Sequence, residues 1–280
     1  MSVRRERFVA ACVQMRSGDD KTRNVDAAVA QVEAAAAAGA ELVVLPETFS
    51  WRGPAARDQD EAEALAGPTL ARLGDLARRL GITLVAGSIL ERAAEPGSGG
   101  VAAVPFNTSV VFGPDGTLLA SYRKVHLFDV SIPGKVEVRE SARRGHGSGV
   151  VSVDTPLARL GLSVCYDLRF PELYRALARA GSELLCVPAA FTFPTGAAHW
   201  EVLLRARAIE NQCWVLAANQ HGASGLGHAD YGHSMIVDPW GTVVACASDG
   251  DRVVSAEIDL GVLARVRREM PCLEHARLPG

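Results

Sequence analysis

Residues 41–47 read Glu-Leu-Val-Val-Leu-Pro-Glu, and this stretch decides the fold class. An unbroken apolar run stopped by proline is typical of a strand covered on both faces. The Ala-rich run before it, residues 24–38, has a capping residue at its start and Gly39 at its end, which predicts a helix. The unit recurs as a helix at 68–80 and a strand at 82–89. Alternating helices and buried strands predict an α/β protein.

The same reasoning assigns the rest of the chain. Two sheets that face each other, with helices outside, would bury all the apolar strands within one domain. This domain is predicted to span residues 1–280, with its core at about 7–259 and a C-terminal helix and tail at about 260–280. Residues 91–105 and 130–149 are predicted to be loops. The remaining predictions are strands at 7–15, 157–164, 184–188, 214–219 and 252–258, helices at 171–180, 197–212 and about 260–269, and hairpins within 108–123 and 233–247.

Composition excludes several classes of partner. The net charge is −3, with the basic residues spread along the chain, so neither nucleic acid nor a membrane surface is expected as a partner. No apolar stretch approaches the roughly 20 residues of a membrane helix. The apolar part of residues 8–12 is shorter than the roughly 7–15 residues of an export signal, which predicts a cytoplasmic protein. Six cysteines without a CxxC pair predict free thiols.

Three reactive side chains follow predicted strands. Glu47, Lys124 and Cys165 each lie just after a strand, where ligands bind in open α/β sheets. At a strand-to-helix turn, Cys165 would have its thiolate favoured by the next helix, although a cysteine in this position is often only a small buried hydrophobe. Partial desolvation of Glu47 would raise its pKa. Lys124 could stabilise an oxyanion if it lay beside a buried acid.

None of the seven histidines has an obvious catalytic partner in the sequence. His126, His199 and His233 are each more typical of structural histidines. Their spacing does not match that of a metal site, so neither a metal nor another cofactor is expected.

Three motifs together resemble the nitrilase superfamily of carbon-nitrogen hydrolases. They are Leu-Pro-Glu-Thr-Phe at 45–49, Tyr-Arg-Lys-Val-His-Leu at 122–127 and Gly-Leu-Ser-Val-Cys-Tyr-Asp-Leu-Arg-Phe-Pro-Glu-Leu at 161–173. The resemblance covers residues 7–270 and implies a four-layer αββα fold, usually assembled as a homodimer or a larger homo-oligomer. It also implies catalytic roles by position: Glu47 as general base and acid, Cys165 as nucleophile, and Lys124 with the backbone amide of Tyr166 as oxyanion stabilisers.

A second glutamate of the family corresponds to Glu140, which would orient Lys124 and the leaving nitrogen. Glu137 competes for this role, because the loop offers two acids and only the Glu-Ser pairing selects Glu140.

The segments 195–201, 205–210, 231–235 and 238–241 resemble the Nit branch, whose members are ω-amidases and deaminated glutathione amidases. The resemblance implies hydrolysis of a small amide that carries a carboxylate. A guanidinium is the best bidentate partner for that carboxylate, so we expect Arg169 to anchor it, with Phe191 and Thr195 lining the pocket. Alternatively, Arg169 pairs with Asp167 or a helix carboxylate. Segment 220–230 matches no pattern and could shape specificity.

Other functions remain open at this point. Cys-Tyr-Asp at 165–167 replaces the Cys-Trp-Glu of true nitrilases, which favours amides over nitriles. Carbamoyl-amine hydrolysis and acyl transfer would use the same residues. A binding or scaffold protein that keeps the fold without catalysis is a further alternative.

Overall fold

The strands are the main building elements of the protein, which is described by a computed structural model over residues 6–92 and 104–278. The strands of this part of the chain are β1 (Arg7–Gln14), β2 (Leu42–Val44), β3 (Thr83–Val85), β4 (Ile89–Glu91), β5 (Phe106–Phe112), β6 (Leu118–Arg123), β7 (Asp129–Ile132), β8 (Val136–Arg139), β9 (Ser152–Asp154), β10 (Arg159–Leu162), β11 (Leu184–Ala189), β12 (Trp214–Asn219), β13 (His221–Ala223), β14 (Ala229–Tyr231), β15 (Met235–Val237), β16 (Val243–Cys246) and β17 (Arg252–Asp259).

Most helices of the same residues lie between these strands, and the last two follow β17. They are α1 (Lys21–Ala37), α2 (Asp58–Glu61), α3 (Pro68–Leu80), α4 (Pro171–Arg179), α5 (Phe193–Asn211), α6 (Leu260–Glu269) and α7 (Cys272–His275), and short 3₁₀ turns occupy Ala55–Arg57, Glu140–Ala142 and Cys165–Arg169. None of these helices is long and apolar enough to span a bilayer.

Two large mixed sheets face each other. The first has the strand order β17-β1-β2-β3-β5-β4, with β6 paired to β5, and the second has the order β16-β15-β12-β11-β10-β9. In the centre of each sheet the strands run parallel, β1-β2-β3 in one and β10-β11-β12 in the other. The carboxyl ends of parallel strands meet at one edge, so loops from several strands can converge there.

Helices cover the outer face of each sheet. Helices α1 and α3 pack on the first sheet, and α4 and α5 pack on the second. One core fills the space between the sheets and includes Cys12, Val44, Cys186 and Leu216, which are all fully buried. These layers are the predicted four-layer αββα sandwich.

Most predicted elements lie within a few residues of their observed bounds. Helix α1 begins three residues earlier than predicted, because Asp20 caps it by accepting a hydrogen bond from the Arg23 amide at 3.0 Å. Helix α5 begins four residues early, with Pro194 in its first turn. The predicted strand 82–89 is split into β3 and β4, because Gly87 turns the chain with a φ of +51°.

The prediction of an ordered loop over residues 130–149 is wrong in its first half. Strands β7 and β8 form a hairpin there, and Gly134 provides the turn at a φ of +69°. Segment 220–230 also forms a hairpin, between β13 and β14. Most of the predicted loop 91–105 falls on residues 93–103, outside the described residues.

Gly87 holds the end of β2 in place. A Cβ atom at Gly87 would lie 2.0 Å from the carbonyl oxygen of Pro46, so only glycine permits this approach. The neighbouring Ser88 accepts a hydrogen bond from the amide of Thr48 at 2.9 Å through its hydroxyl. The turn at 86–88 therefore fixes the backbone on both sides of Glu47.

We expect Gly87→Ala to lower the free energy of unfolding by about 2–5 kcal/mol, because it combines left-handed backbone strain with a clash against Pro46. Gly81→Ala is the matched control: its φ is +66°, but no atom lies within 4 Å of the added Cβ. The control should lose only about 1–2 kcal/mol. Urea unfolding followed by circular dichroism measures both, and equal losses would contradict this account of Gly87.

Candidate active site

The three reactive side chains meet in one pocket. Glu47 follows β2, Lys124 follows β6 and Cys165 opens the turn after β10, and all three line a cavity of about 500 Å³. Glu47 and Lys124 come from the first sheet and Cys165 from the second. The cavity therefore lies where the loops of the two facing sheets converge.

Lys124 is buried between two carboxylates. Its Nζ atom lies 2.9 Å from Oε1 of Glu47 and 2.8 Å from Oε2 of Glu140, and its side chain is only 2% exposed. A buried ammonium without such partners would cost several kcal/mol in lost hydration. The two carboxylates stabilise its charge and fix its position.

Further donors hold the carboxylates in place. The amide of Asn107 donates to Oε1 of Glu47 at 2.7 Å and to Oε1 of Glu140 at 3.3 Å, so it bridges the two acids. The backbone amide of Ala190 donates to Oε2 of Glu47 at 2.9 Å, and that of Phe128 donates to Oε2 of Glu140 at 2.7 Å. Both carboxylates are therefore held from more than one side.

Cys165 lies on the floor of the pocket and is 7% exposed. Its φ is +48°, a left-handed conformation that a residue with a Cβ atom rarely adopts. The thiol lies close enough to the Glu47 carboxylate and to the amide of Ala190 for both to affect its pKa. A strained backbone angle at this place aims the sulfur at the carboxylate.

Burial raises the pKa of the Cys165 thiol well above its usual value, and the Glu47 carboxylate raises it further, although Lys124 acts in the opposite direction. The expectation of a favoured thiolate is therefore wrong: the sulfur is desolvated beside an acid, and these effects outweigh the next helix. At neutral pH the sulfur is therefore a thiol.

Burial by itself would raise the pKa of Glu47, but the charge of Lys124 and the hydrogen bond from Cys165 hold it below its usual value. The expected rise is thus wrong as well, because the sequence does not reveal how close the ammonium lies. For Lys124, burial lowers the pKa, but Glu140 and Glu47 raise it well above normal. Glu47 is a carboxylate and Lys124 an ammonium at neutral pH.

The two candidate acids of the 136–140 segment have different surroundings. Glu140 is buried and contacts Lys124 directly, whereas Glu137 is exposed and lies on the wall of the pocket. Strand β8 ends at Arg139, and the following turn directs Glu140 inward. Position therefore separates two acids that the sequence left in competition.

The other predicted residues line the same pocket on the Cys165 side. The guanidinium of Arg169 lies 4.9 Å from the ring centre of Phe191 and 5.8 Å from that of Tyr166. Thr195 is buried, with its hydroxyl 2.8 Å from that of Thr192. Arg169 contacts Nδ1 of His199 at 3.2 Å, and no carboxylate of residues 6–92 or 104–278 lies within ion-pair distance of it. Asp167 binds other partners instead.

Several pocket residues were missed by the sequence reasoning. Asn107 is a buried amide near the start of β5. In the sequence, only its position directly before the predicted hairpin at 108–123 could have indicated a role in the site. The pocket lining also includes Arg52, Asp58 and Arg144, and Asp58 accepts a hydrogen bond from Arg144 at 2.7 Å. Leu226 and His228, from the β13–β14 hairpin, also reach the pocket.

Residues 9–268 match the carbon-nitrogen hydrolase family, and the chain belongs to this family, as the three motifs predicted. The fold is therefore the nitrilase fold. The match spans both sheets and includes Glu47, Lys124, Glu140 and Cys165.

Relatives with known roles are similar over almost the whole chain. Human deaminated glutathione amidase is 46% identical over 275 residues, which cover 96% of this chain and 82% of that protein. Human omega-amidase NIT2 is 40% identical over 270 residues, with coverage of 96% and 95%.

A fusion protein from Caenorhabditis elegans, NitFhit, combines a nitrilase with a fragile histidine triad protein. It is 45% identical over 272 residues, which cover 96% of this chain but only 60% of that protein. Its crystal structure superposes with a TM-score of 0.88 at 43% identity, covering 98% of this chain and 66% of that chain.

We expect Glu47→Gln to lower the pKa of Cys165, because the negative charge that opposes thiolate formation is removed while Lys124 keeps its positive charge. The ultraviolet absorbance of the thiolate, titrated against pH and corrected with Cys165→Ala, measures this change. Glu137→Gln is the matched control and should leave the titration as in wild type. A pKa that is unchanged or raised in Glu47→Gln would contradict the electrostatic account.

Proposed function

We propose that the protein hydrolyses the carbon-nitrogen bond of a small, carboxylate-bearing amide through an acyl-enzyme on Cys165. One observation carries the proposal: a buried thiol contacts a carboxylate that is itself paired with a buried ammonium, inside a cavity of about 500 Å³. Thiol, base and cation are the groups that nucleophilic cleavage of an amide requires.

Acylation begins at Glu47. Its carboxylate takes the thiol proton as the sulfur attacks the amide carbon, and Lys124 with the backbone amide of Tyr166 stabilises the oxyanion. Glu47 then gives the proton to the nitrogen, the carbon-nitrogen bond breaks and ammonia leaves. The acyl group remains on sulfur as a thioester.

Deacylation reverses the roles. Glu47 takes a proton from water, whose oxygen attacks the thioester carbon. The carbon-sulfur bond breaks to give a carboxylic acid, and Glu47 returns the proton to the departing sulfur, which restores the Cys165 thiol. Glu140 keeps Lys124 directed at the oxyanion in both halves. Burial favours this electrostatic stabilisation, because charges interact more strongly where water is excluded.

The substrate is assigned to the class on which the relatives act, the ω-amide of an α-keto dicarboxylic acid or deaminated glutathione. Arg169 supports this choice, since its guanidinium lies at the pocket without a carboxylate partner among residues 6–92 and 104–278. It would bind the substrate carboxylate, while Phe191 and Thr195 line the neighbouring wall.

We further propose one catalytic domain over residues 1–280, in a cytoplasmic protein that assembles as a homodimer. Six free cysteines fit a reducing compartment.

The core-facing side of the helices is already occupied, as Leu204 is fully buried. Dimerisation would cover the outer side of α5, where Val202 is 67% and Ile209 44% exposed, together with Trp240 of the β15–β16 turn, which is 61% exposed.

We expect Glu47→Gln to lower kcat by about 10²–10⁴-fold, because the general base is removed. An intact-mass measurement after mixing with the ω-amide of a short α-keto dicarboxylic acid should show an acyl adduct that accumulates in this variant. Cys165→Ala is the control and should show none. If no amide of a broad panel, deaminated glutathione among them, yields an adduct or turnover, the hydrolase proposal is wrong.

We expect Glu140→Gln to lower kcat by about 10- to 100-fold, because Lys124 loses a partner that fixes its position. Glu137→Gln, an exposed acid three residues away, is the matched control and should remain close to wild type. Steady-state kinetics on the same amide decide between them. A larger loss in Glu137→Gln would transfer the role to that residue.

We expect Arg169→Ala to lower kcat/KM for carboxylate-bearing amides by about 10- to 100-fold, the worth of one charge-assisted hydrogen bond. A neutral amide of the same length should lose far less. The value of kcat/KM is measured for wild type and variant on both amides, and the loss on one amide is compared with the loss on the other. Equal losses on both amides would show that Arg169 does not bind the carboxylate.

A further inference from the structure

Asp167 is a heavily hydrogen-bonded carboxylate near the nucleophile, although it does not line the pocket. It is 0% exposed and lies two residues after Cys165. Its Oδ2 atom accepts from the Tyr122 hydroxyl at 2.7 Å and the Val164 amide at 2.8 Å. Its Oδ1 atom accepts from the His126 amide at 3.0 Å and lies 2.7 Å from His126 Nδ1.

These donors belong to two separate segments. Val164 directly precedes Cys165, whereas Tyr122 and His126 lie two residues before and two residues after Lys124. One carboxylate therefore connects the nucleophile turn of the second sheet to the chain around the ammonium of the first. Four converging donors fix it more firmly than a single bond would.

The neighbouring contacts make this connection rigid. The His126 ring stacks on Phe170 with ring centres 3.6 Å apart and planes 7° from parallel. The Tyr122 hydroxyl, which donates to Asp167, also accepts from the Val125 amide at 3.4 Å. Burial and the charge of Asp167 raise the pKa of Tyr122, so its hydroxyl remains a donor.

The nucleophile turn needs such support. Cys165 has a φ of +48°, and a residue with a Cβ atom keeps this conformation only where its surroundings enforce it. The bond from the Val164 amide to Asp167 closes the turn on one side of Cys165. The hydrogen bond between Val164 and Asp167 therefore bridges the strained residue, Cys165.

We propose that Asp167 is a positioning residue that holds the strained Cys165 turn against the segment of Lys124, so that sulfur and ammonium face the same carbonyl group. The inference rests on the proposed amidase function and extends it to a residue that touches no substrate. It also gives His126 a role within this network, as a donor rather than as a base.

Asparagine cannot replace this carboxylate. An amide has one oxygen and one NH₂ group, and in either orientation the NH₂ group faces a backbone N–H, that of Val164 or that of His126. One of the two segments then loses its bond. Asp167→Asn thus removes the connection with almost no change in volume.

We expect Asp167→Asn to lower kcat on the ω-amide of a short α-keto dicarboxylic acid by about 10²-fold, the effect of misplacing a reacting group by about 1 Å. KM should stay within about threefold, because Asp167 does not line the pocket. Tyr122→Phe, which removes one donor of four, should lower kcat by about three- to tenfold. In a crystal structure of Asp167→Asn, Cys165 should leave its left-handed conformation or its sulfur should move away from Glu47.

Asp259→Ala is the control for general destabilisation. Asp259 caps α6 by accepting from the Gly261 amide at 2.7 Å, far along the chain from the pocket residues. This variant should lower the melting temperature while kcat stays within about twofold. If Asp167→Asn does not fold, Tyr122→Phe decides: a lower kcat at unchanged KM supports the proposal, and a wild-type kcat overturns it.

The positioning role is overturned if Asp167→Asn keeps kcat within about threefold of wild type, if its loss appears in KM instead, or if its Cys165 turn is unchanged in the crystal. The amidase proposal fails by a different result, a wild-type protein that turns over no amide. In that case the crystal structure of Asp167→Asn still decides whether the carboxylate holds the turn.

Discussion

A buried ammonium shared by two carboxylates is the interaction on which the site depends. Lys124 lies within 2.9 Å of Glu47 and 2.8 Å of Glu140 at 2% exposure, so its charge is tolerable only because both partners are present. The partners come from different loops, and Asn107 joins them. The sandwich must bring these segments together accurately, because a loosened contact would leave an uncompensated charge in the interior.

The same cluster determines the state of the thiol. Burial and the nearby Glu47 raise the pKa of Cys165, while Lys124 keeps Glu47 ionised. The sulfur therefore carries the proton at neutral pH, and the neighbouring carboxylate, its proposed base, is ionised. A buried thiol in this state is weakly reactive, because the thiolate and not the thiol is the nucleophilic form of cysteine.

Rigid local structure supports this chemistry on both sheets. Gly87 allows a backbone approach that fixes the end of β2, and the carboxylate of Asp167 closes the turn around Cys165. Gly87 and Asp167 both lie just outside the pocket. The first fixes the backbone around Glu47, and the second fixes the backbone around Cys165. The β13–β14 hairpin also lines the cavity, through Leu226 and His228 of its loop.

The sequence by itself determined the α/β class, the order of the elements and the family, because apolar periodicity and short motifs are local properties. It placed helix 68–80 at its observed bounds, yet it missed the hairpin at residues 129–139 and the role of Asn107. It also gave the wrong direction for the pKa of Glu47 and of Cys165. Only the tertiary structure decided these points, because a pKa depends on charges a few ångströms away that belong to distant parts of the chain.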